Sequence, residues 1–247
     1  MRISSELESS PANEDTDKQQ LDGFLIGKSV YLRSPLVEED VLGGTWHSWF
    51  NDIDNTKYLV HGVFPVKRED QVALVKAEMS KASTLLLCII NRENGNHIGV
   101  ISLKNIDFIN KVAEIGIVMA PNRIAGAPAF EAMSLLIKHA FYRLNLDLLY
   151  AGQHEGLWKW VNSLSLLGFK IDGFRSSAGY RSRERYGIFH TSVAVEDFIN
   201  LEKERGGDIL SPSPMAVLRH RPRYNPATIF KIALQDINTK WSSSIAR

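Results

Sequence analysis

A single carboxylate stands in an otherwise apolar run, Ala113-Glu114-Ile115-Gly116-Ile117-Val118-Met119-Ala120. A carboxylate held partly out of water suits taking up a proton as a general base. The competing role for Glu114 is a structural hydrogen bond, and the residue pattern leaves both open. Period two puts Gly116 and Val118 on the strand face of Glu114. Pro121-Asn122-Arg123-Ile124-Ala125-Gly126-Ala127 comes next, then Phe130, Met133, Ile137, Ala140 and Phe141 at helical spacing. A strand that runs through a small-residue turn into a helix aims unpaired N–H groups and the positive end of the helix dipole at one point. That point is a seat for an anion. The turn has neither the Gly-Lys-Ser/Thr ending of a triphosphate loop nor the three-glycine spacing of a dinucleotide site. Its Ala125, Gly126 and Ala127 still let a diphosphate approach the backbone, and Arg123 can add charge.

A second group of candidates lies earlier: Trp46, His47, Trp49, Asn51, Tyr58, His61 and Phe64. Aromatic faces stack on a sugar or a base, and Asn or His meets hydroxyls. Trp46, Trp49 and Phe50 equally fit the packing face of a helix, whereas His61 beside Gly62 reads as a loop contact. A third group, Tyr180-Arg181-Ser182-Arg183-Glu184-Arg185-Tyr186, is dense in cations. It is either a solvated hairpin or, through Arg183, a clamp on an anionic acceptor. His190 reads as structural. The lone Cys88, inside Leu85-Leu86-Leu87-Cys88-Ile89-Ile90, reads as a buried inert thiol.

Several classes are disfavoured by the whole chain. The 247 residues carry a formal net charge of +1, so no global field draws in nucleic acid or a membrane. One cysteine makes neither a disulfide nor a thiolate cluster, and the seven histidines show no H-x-x-x-H or H-E-x-x-H pattern, so no metal is expected. No apolar run approaches the ~20 residues of a membrane span. With no secretory layout at the N-terminus, the expectation is a cytoplasmic protein, monomer or homodimer. Arg219, Arg221 and Arg223 read as a solvated tail rather than an RNA or lipid contact.

The elements that must position these residues follow from periodicity. Residues 1–25 are polar and acidic and are expected to be a disordered lead. Ser29 to Ser34 alternates as a strand, and Glu38–Phe50 and Lys67–Lys81 read as helices around the turn-rich Asn51–Asn55. Thr84–Asn91 and His97–Asn105 flank Asn94-Gly95, the signature of a hairpin. Val112–Met119 is a strand, Ala127–Arg143 a helix, Asp147–Gly152 a strand and Leu157–Leu167 a short helix. A strand starts at Gly168–Ile171, and a final one runs from Tyr186 to Val195. The order predicts an α+β fold, a mixed but mostly antiparallel central sheet with helices on both faces. Residues 26–205 form that domain. Residues 206–247 are a basic extension with linker chemistry at Ser211-Pro212-Ser213-Pro214, a basic run at Arg219–Arg223, and a short helix expected from Ala227 to Ile237.

Strand, Arg-x-x-Gly-x turn and long helix, in this order, resemble the GNAT superfamily of acyl-CoA-dependent N-acyltransferases. Arg123 and Gly126 match its Gln/Arg-x-x-Gly-x-Gly/Ala turn, whereas Pro128 takes the place of the second small residue and lacks an N–H. Trp49-Phe50-Asn51-Asp52, Lys57-Tyr58-Leu59 and Phe64-Pro65 are similar to the front of the group acetylating ribosomal-protein N-termini, polyamines and nucleotide-linked amino sugars. His97-Ile98-Gly99-Val100-Ile101 and Ala113-Glu114-Ile115-Gly116-Ile117 resemble its central strands, and Leu167-Gly168-Phe169 through Gly173 its close. The resemblance covers about Lys28 to Glu204.

The resemblance implies acetyl-CoA as co-substrate, held by Val118, Met119, Ala120, Arg123, Ile124, Ala125, Gly126 and Ala127. Backbone groups of Val118 and Ala120, freed by two splayed strands, would take the pantetheine arm, and one would polarise the thioester carbonyl. Glu114 would be the base in a direct attack by a primary amine. Trp49, Asn51, His61 and Arg183 would contact a small-molecule acceptor, an amino sugar on a nucleotide. A protein N-terminus or a polyamine is the alternative acceptor, and a non-catalytic acyl-CoA-binding regulatory module is the rival class. Two positions depart from the family pattern. Leu157 stands where an asparagine often holds the cofactor arm, and Leu164 where a tyrosine often protonates the leaving thiolate, with only Ser163 and Ser165 as nearby hydroxyls.

Overall fold

In the computed structural model, which describes residues 23–59, 62–121 and 126–245, eight strands form one sheet. They are β1 (Leu25–Ile26), β2 (Val30–Arg33), β3 (Leu85–Asn91), β4 (His97–Asp107), β5 (Val112–Met119), β6 (Leu148–His154), β7 (Lys170–Arg181) and β8 (Glu184–Ala194). Their spatial order is β1-β2-β3-β4-β5-β6-β8-β7. Only β5 and β6 run parallel, and every other described pairing is antiparallel. The mixed α+β architecture expected from the element order is therefore present. The acidic segment before Gly23 lies outside the described residues.

Alternation along the strands decides which helix covers which face. Val30, Leu32, Leu87, Ile89, Ile101, Leu103, Ala113 and Ile115 point into the main core, against the long helix α5 (Ala127–Tyr142). Their alternates Tyr31, Cys88, Ile90 and Val100 pack on the opposite face. There they meet a π-helical turn, α1 (Val37–Leu42), and the helices α2 (Trp46–Trp49) and α4 (Arg68–Met79). The single helix expected over 38–50 is broken at Gly43-Gly44. A Cβ on Gly44 would lie 2.3 Å from the carbonyl oxygen of Asp40, so the chain turns more tightly than a side chain permits. Asn51–Asn55, expected as a turn, contains a one-turn helix, α3 (Ile53–Thr56), whose N-terminus is capped by Asp52.

The remaining helices sit with α5. They are α6 (Trp158–Leu164), α7 (Val195–Glu204), α8 (Pro214–Arg219) and α9 (Pro226–Ile245), the last longer than the segment expected over 227–237. Phe198 of α7, Leu164 of α6 and Val217 of α8 complete the main core. A separate cluster, Val161, Phe174, Phe189 and Ala227 with Trp158, Phe230 and Leu234, fastens α9 to α6 and the β7–β8 hairpin. The buried Asn162 adds polar anchors by donating to the carbonyls of Pro222 (3.0 Å) and Tyr224 (2.7 Å). The extension is packed on the domain rather than trailing from it.

Candidate active site

The parallel pair β5–β6 stops early. Its last rung is Glu114 opposite Tyr150, yet β5 continues to Met119 beside β4 and β6 continues to His154 beside β8. Beyond that rung the two strands diverge and leave an opening in the middle of the sheet. Hydrogen-bond parity tells which backbone groups border it. Ala120 donates its N–H to Ile98 (2.9 Å), and every second residue of an antiparallel strand faces the same neighbour, so Val118 and Gly116 also turn towards β4. Lys111 accepts from the N–H of Leu148 (3.2 Å), so odd-numbered residues of β5 turn towards β6. Past the last rung, the groups left over belong to Ile117 and Met119. The expectation drawn for Val118 and Ala120 is thus shifted by one residue: their polar groups are engaged by β4, and Met119 is the neighbour that faces the opening.

The floor on one face is set by the even-numbered side chains of both strands, Glu114, Gly116 and Val118 with Tyr150, Gly152 and His154. Gly116 and Gly152 are exposed, and a Cβ on either would find its nearest neighbour at 3.7 Å. Neither position puts a side chain over the gap between the strands, where the family resemblance would lay an extended thioester arm. Its anionic end would meet α5, where Gly126 caps the N-terminus in an extended conformation and Pro128 sits in the first turn. Proline there removes an N–H that no helical carbonyl would have taken, so the helix loses nothing while the seat loses one donor. Arg123, Ile124 and Ala125 lie outside the described residues.

Glu114 is half-buried and accepts from the side-chain amide of Asn105 at 3.1 Å through one oxygen. Leu164, in the position of the family's tyrosine acid, is fully buried in the main core, and Leu157 lies in a 3₁₀ turn after β6. Neither side chain can donate a proton.

Over the floor stands Tyr58, which follows α3 and lies against His154. Trp49 is only 2 % exposed and donates its indole N–H to Thr45 at 3.3 Å, so it packs the core and offers no surface to an acceptor. Asn51 uses both ends of its amide on Val66, donating to its carbonyl (2.9 Å) and accepting its N–H (2.7 Å). It ties the loop shut rather than facing a ligand. His61 lies outside the described residues. Arg183 is exposed at the tip of the β7–β8 hairpin, where Ser182 and Arg183 both take positive φ (50° and 65°). Two residues before it, Arg181 donates to the carbonyls of Thr56 (2.8 Å) and Lys57 (3.0 Å).

His154 and Glu155, which the sequence left unmarked, complete this side with Tyr58 and Tyr186. The His154 ring lies between Tyr58 (centroids 4.8 Å apart) and Tyr186 (4.4 Å, stacked). Burial pushes the His154 pKa below its ordinary value; Glu155 pulls it up and Arg181 adds to the depression. Burial pushes the carboxyl of Glu155 up, but Lys231 of α9 (2.5 Å) and the N–H of Gly187 (2.8 Å) outweigh it and hold it below the usual range. A histidine at the end of a strand that parts from its parallel neighbour was the available signal.

Asp40, Cys88 and His97 also come within 4.8 Å of one another through their donor atoms. The guanidinium of Arg33 holds both oxygens of Asp40 (2.7 and 2.8 Å), and the N–H of Leu36 binds the same carboxylate. A fixed cation already occupies the carboxylate, so the cluster reads as a buried ion pair rather than a metal centre. Among the described residues, no helix is long and apolar enough to cross a membrane.

Comparisons with known proteins bear on this geometry. Residues 30–170 match the family described as "Acetyltransferase (GNAT) domain". The solved spermidine N-acetyltransferase from Vibrio cholerae, in complex with CoA and spermine, is similar in fold. It has a TM-score of 0.63 and 17% sequence identity, over 70% of this chain and 100% of that one. A GNAT-family acetyltransferase from Bacillus anthracis gives a TM-score of 0.58 and 20% identity, over 70% and 98%. Identities this low speak for the fold alone. No curated protein matches the sequence closely enough to serve as a relative. With more than half of its length matched, and with strands parted where the co-substrate must enter, the chain belongs to the GNAT family and is an acetyl-CoA-dependent acetyltransferase.

Proposed function

We propose that the protein transfers the acetyl group of acetyl-CoA to the primary amine of a small oxygen-rich acceptor, best met by an amino sugar on a nucleotide carrier. The amine lone pair attacks the thioester carbon, a C–N bond forms, the C–S bond breaks, and CoA leaves as thiolate. Glu114, directly or through water, takes the ammonium proton, and Asn105 orients its carboxylate. The N–H of Ile117 or Met119 supports the developing oxyanion. With Leu164 in place of a tyrosine, the thiolate takes its proton from water.

The observation that carries the acceptor reading is the charge at the mouth. Arg175, Arg181 and Arg183 stand on this side of the hairpin or at its tip against Glu184, and the other acid of the hairpin, Asp172, accepts from Ser192 at 2.9 Å. Nearby carboxylates are engaged: Asp52 caps α3, Asp54 lies 3.8 Å from Lys57, and Glu155 is held by Lys231. Such a mouth attracts phosphate and gives a polycation little to bind. A polyamine acceptor is the second reading, favoured by the likeness to a spermidine acetyltransferase.

The test follows thiol release from acetyl-CoA with a nucleoside-diphosphate amino sugar, a tripeptide with a free N-terminus, and spermidine. The amino sugar is expected to give the highest kcat/KM. Preference for spermidine would move the assignment to the second reading. CoA binding with no turnover on any amine would point to a non-catalytic acyl-CoA-binding module.

A further inference from the structure

We infer that His154 is the residue that selects the acceptor, donating a hydrogen bond from Nε2 to an oxygen of the acceptor molecule remote from the reacting amine. This rests on the acyltransfer reading above but assigns a role to a residue that reading does not use.

The chemistry of the ring is fixed by its surroundings. Nδ1 accepts the N–H of Gly156 at 3.0 Å, so the proton of the neutral imidazole sits on Nε2. Burial and Arg181 favour that neutral form, against the pull of Glu155. Nε2 has no hydrogen-bond partner among the described residues, although the ring is half-buried. The ring cannot pivot freely, because Tyr58 of the loop and Tyr186 of β8 flank it. Gly156 makes this possible: a Cβ there would lie 2.3 Å from the Tyr58 ring.

Position gives the role. His154 shares the strand face of Glu114, but lies four residues beyond the closing rung at Tyr150, or about 13 Å along β6. At that distance it touches no reacting atom. It meets the far part of an acceptor whose amine is at Glu114. An N–H donor offers nothing to an ammonium group, while it suits a hydroxyl, carbonyl or phosphate oxygen. The stack is also poorly placed to hold a cation on an aromatic face, because Lys57 already sits over the Tyr58 ring at 5.3 Å. The donor suits an amine that carries an oxygen about 13 Å along the strand from its nitrogen, a feature a polyamine lacks.

The experiment compares His154→Ala and His154→Gln with the parent enzyme, using a nucleoside-diphosphate amino sugar and a plain primary alkylamine of similar length. His154→Ala is expected to raise KM for the amino sugar by about 10- to 100-fold, with kcat and the KM for acetyl-CoA little changed. The alkylamine should be turned over equally well by both. His154→Gln, which can present an amide N–H near the Nε2 position, should recover most of the loss. Equal losses with amino sugar and alkylamine would reduce His154 to a packing element and overturn the inference, as would spermidine serving better than the amino sugar. If the parent enzyme turns over no amine, the acyltransfer reading fails separately. The same variants are then titrated with the amino sugar on the CoA-loaded protein. A weakened affinity in His154→Ala, restored in His154→Gln, supports the inference, and equal affinity or absent binding overturns it.

Discussion

The two sides of the opening between β5 and β6 are built from different materials. On the proposed co-substrate side the surface is backbone: the free edge at Ile117 and Met119, the glycines 116 and 152, and the start of α5 at Gly126. On the acceptor side it is side chain: Tyr58, His154, Tyr186 and the arginines of the hairpin. A backbone surface recognises what every CoA thioester shares, whereas a side-chain surface can change its preference by single substitutions. One side therefore follows from the fold, and the other from this particular sequence.

That contrast can be broken first at the point where both sides meet. Glu114→Gln is expected to lower kcat by roughly 10²- to 10³-fold and to abolish the rise of rate with pH, leaving both KM values nearly unchanged. An unaltered pH profile would remove Glu114 from the mechanism. Next comes the backbone side. Gly152→Leu projects a side chain into the opening without a clash, since its Cβ meets nothing closer than 3.7 Å. The KM for acetyl-CoA should rise by roughly 10- to 100-fold, and that for an acceptor reaching His154 over the same face should rise with it, with the melting temperature within a few degrees of the parent. A matching change in acceptor KM alone would place the arm elsewhere.

What the sequence made legible divides along the same line. The strand–turn–helix unit and the Asn94-Gly95 hairpin are local, and their spacing showed them. The positions on the proposed acceptor side are not local: Tyr58, His154 and Tyr186 meet only because β6 pairs with β8 and the segment after α3 brings Tyr58 against the His154 ring. Asn51 and Trp49 illustrate the converse. Their residue types suit ligand contact, but a loop must be closed and a helix buried before anything binds, and those tasks take them. The assignment of backbone groups to Ile117 and Met119 depends on ladder parity, which no residue type announces.

Smaller effects sharpen the contrast. Arg181→Ala frees two loop carbonyls and is expected to raise the acceptor KM roughly tenfold while leaving that of acetyl-CoA alone. A parallel rise in both would show the hairpin supports the whole opening. The least effect is expected from Lys231→Ala, because the lysine is half exposed: under about 1 kcal/mol, read as a shift in melting temperature. Glu155 has its pKa lowered in the fold, so its stabilising contribution is present above the ordinary glutamate value of about 4.3 and is lost as pH falls below it. The difference between parent and Lys231→Ala should therefore shrink as the pH is lowered through the acidic range.

The packing of the last forty or so residues bears on where this protein can be cut. The family match stops at residue 170, yet Phe174 and Phe189 are covered by Phe230, and the amide of Asn162 is satisfied by carbonyls at 222 and 224. A chain trimmed to the matched region plus its final strands would present two phenylalanines and an unpaired buried amide to solvent. Such a fragment should aggregate on expression even though it carries every residue assigned to the chemistry. The unit that folds is longer than the unit that is related.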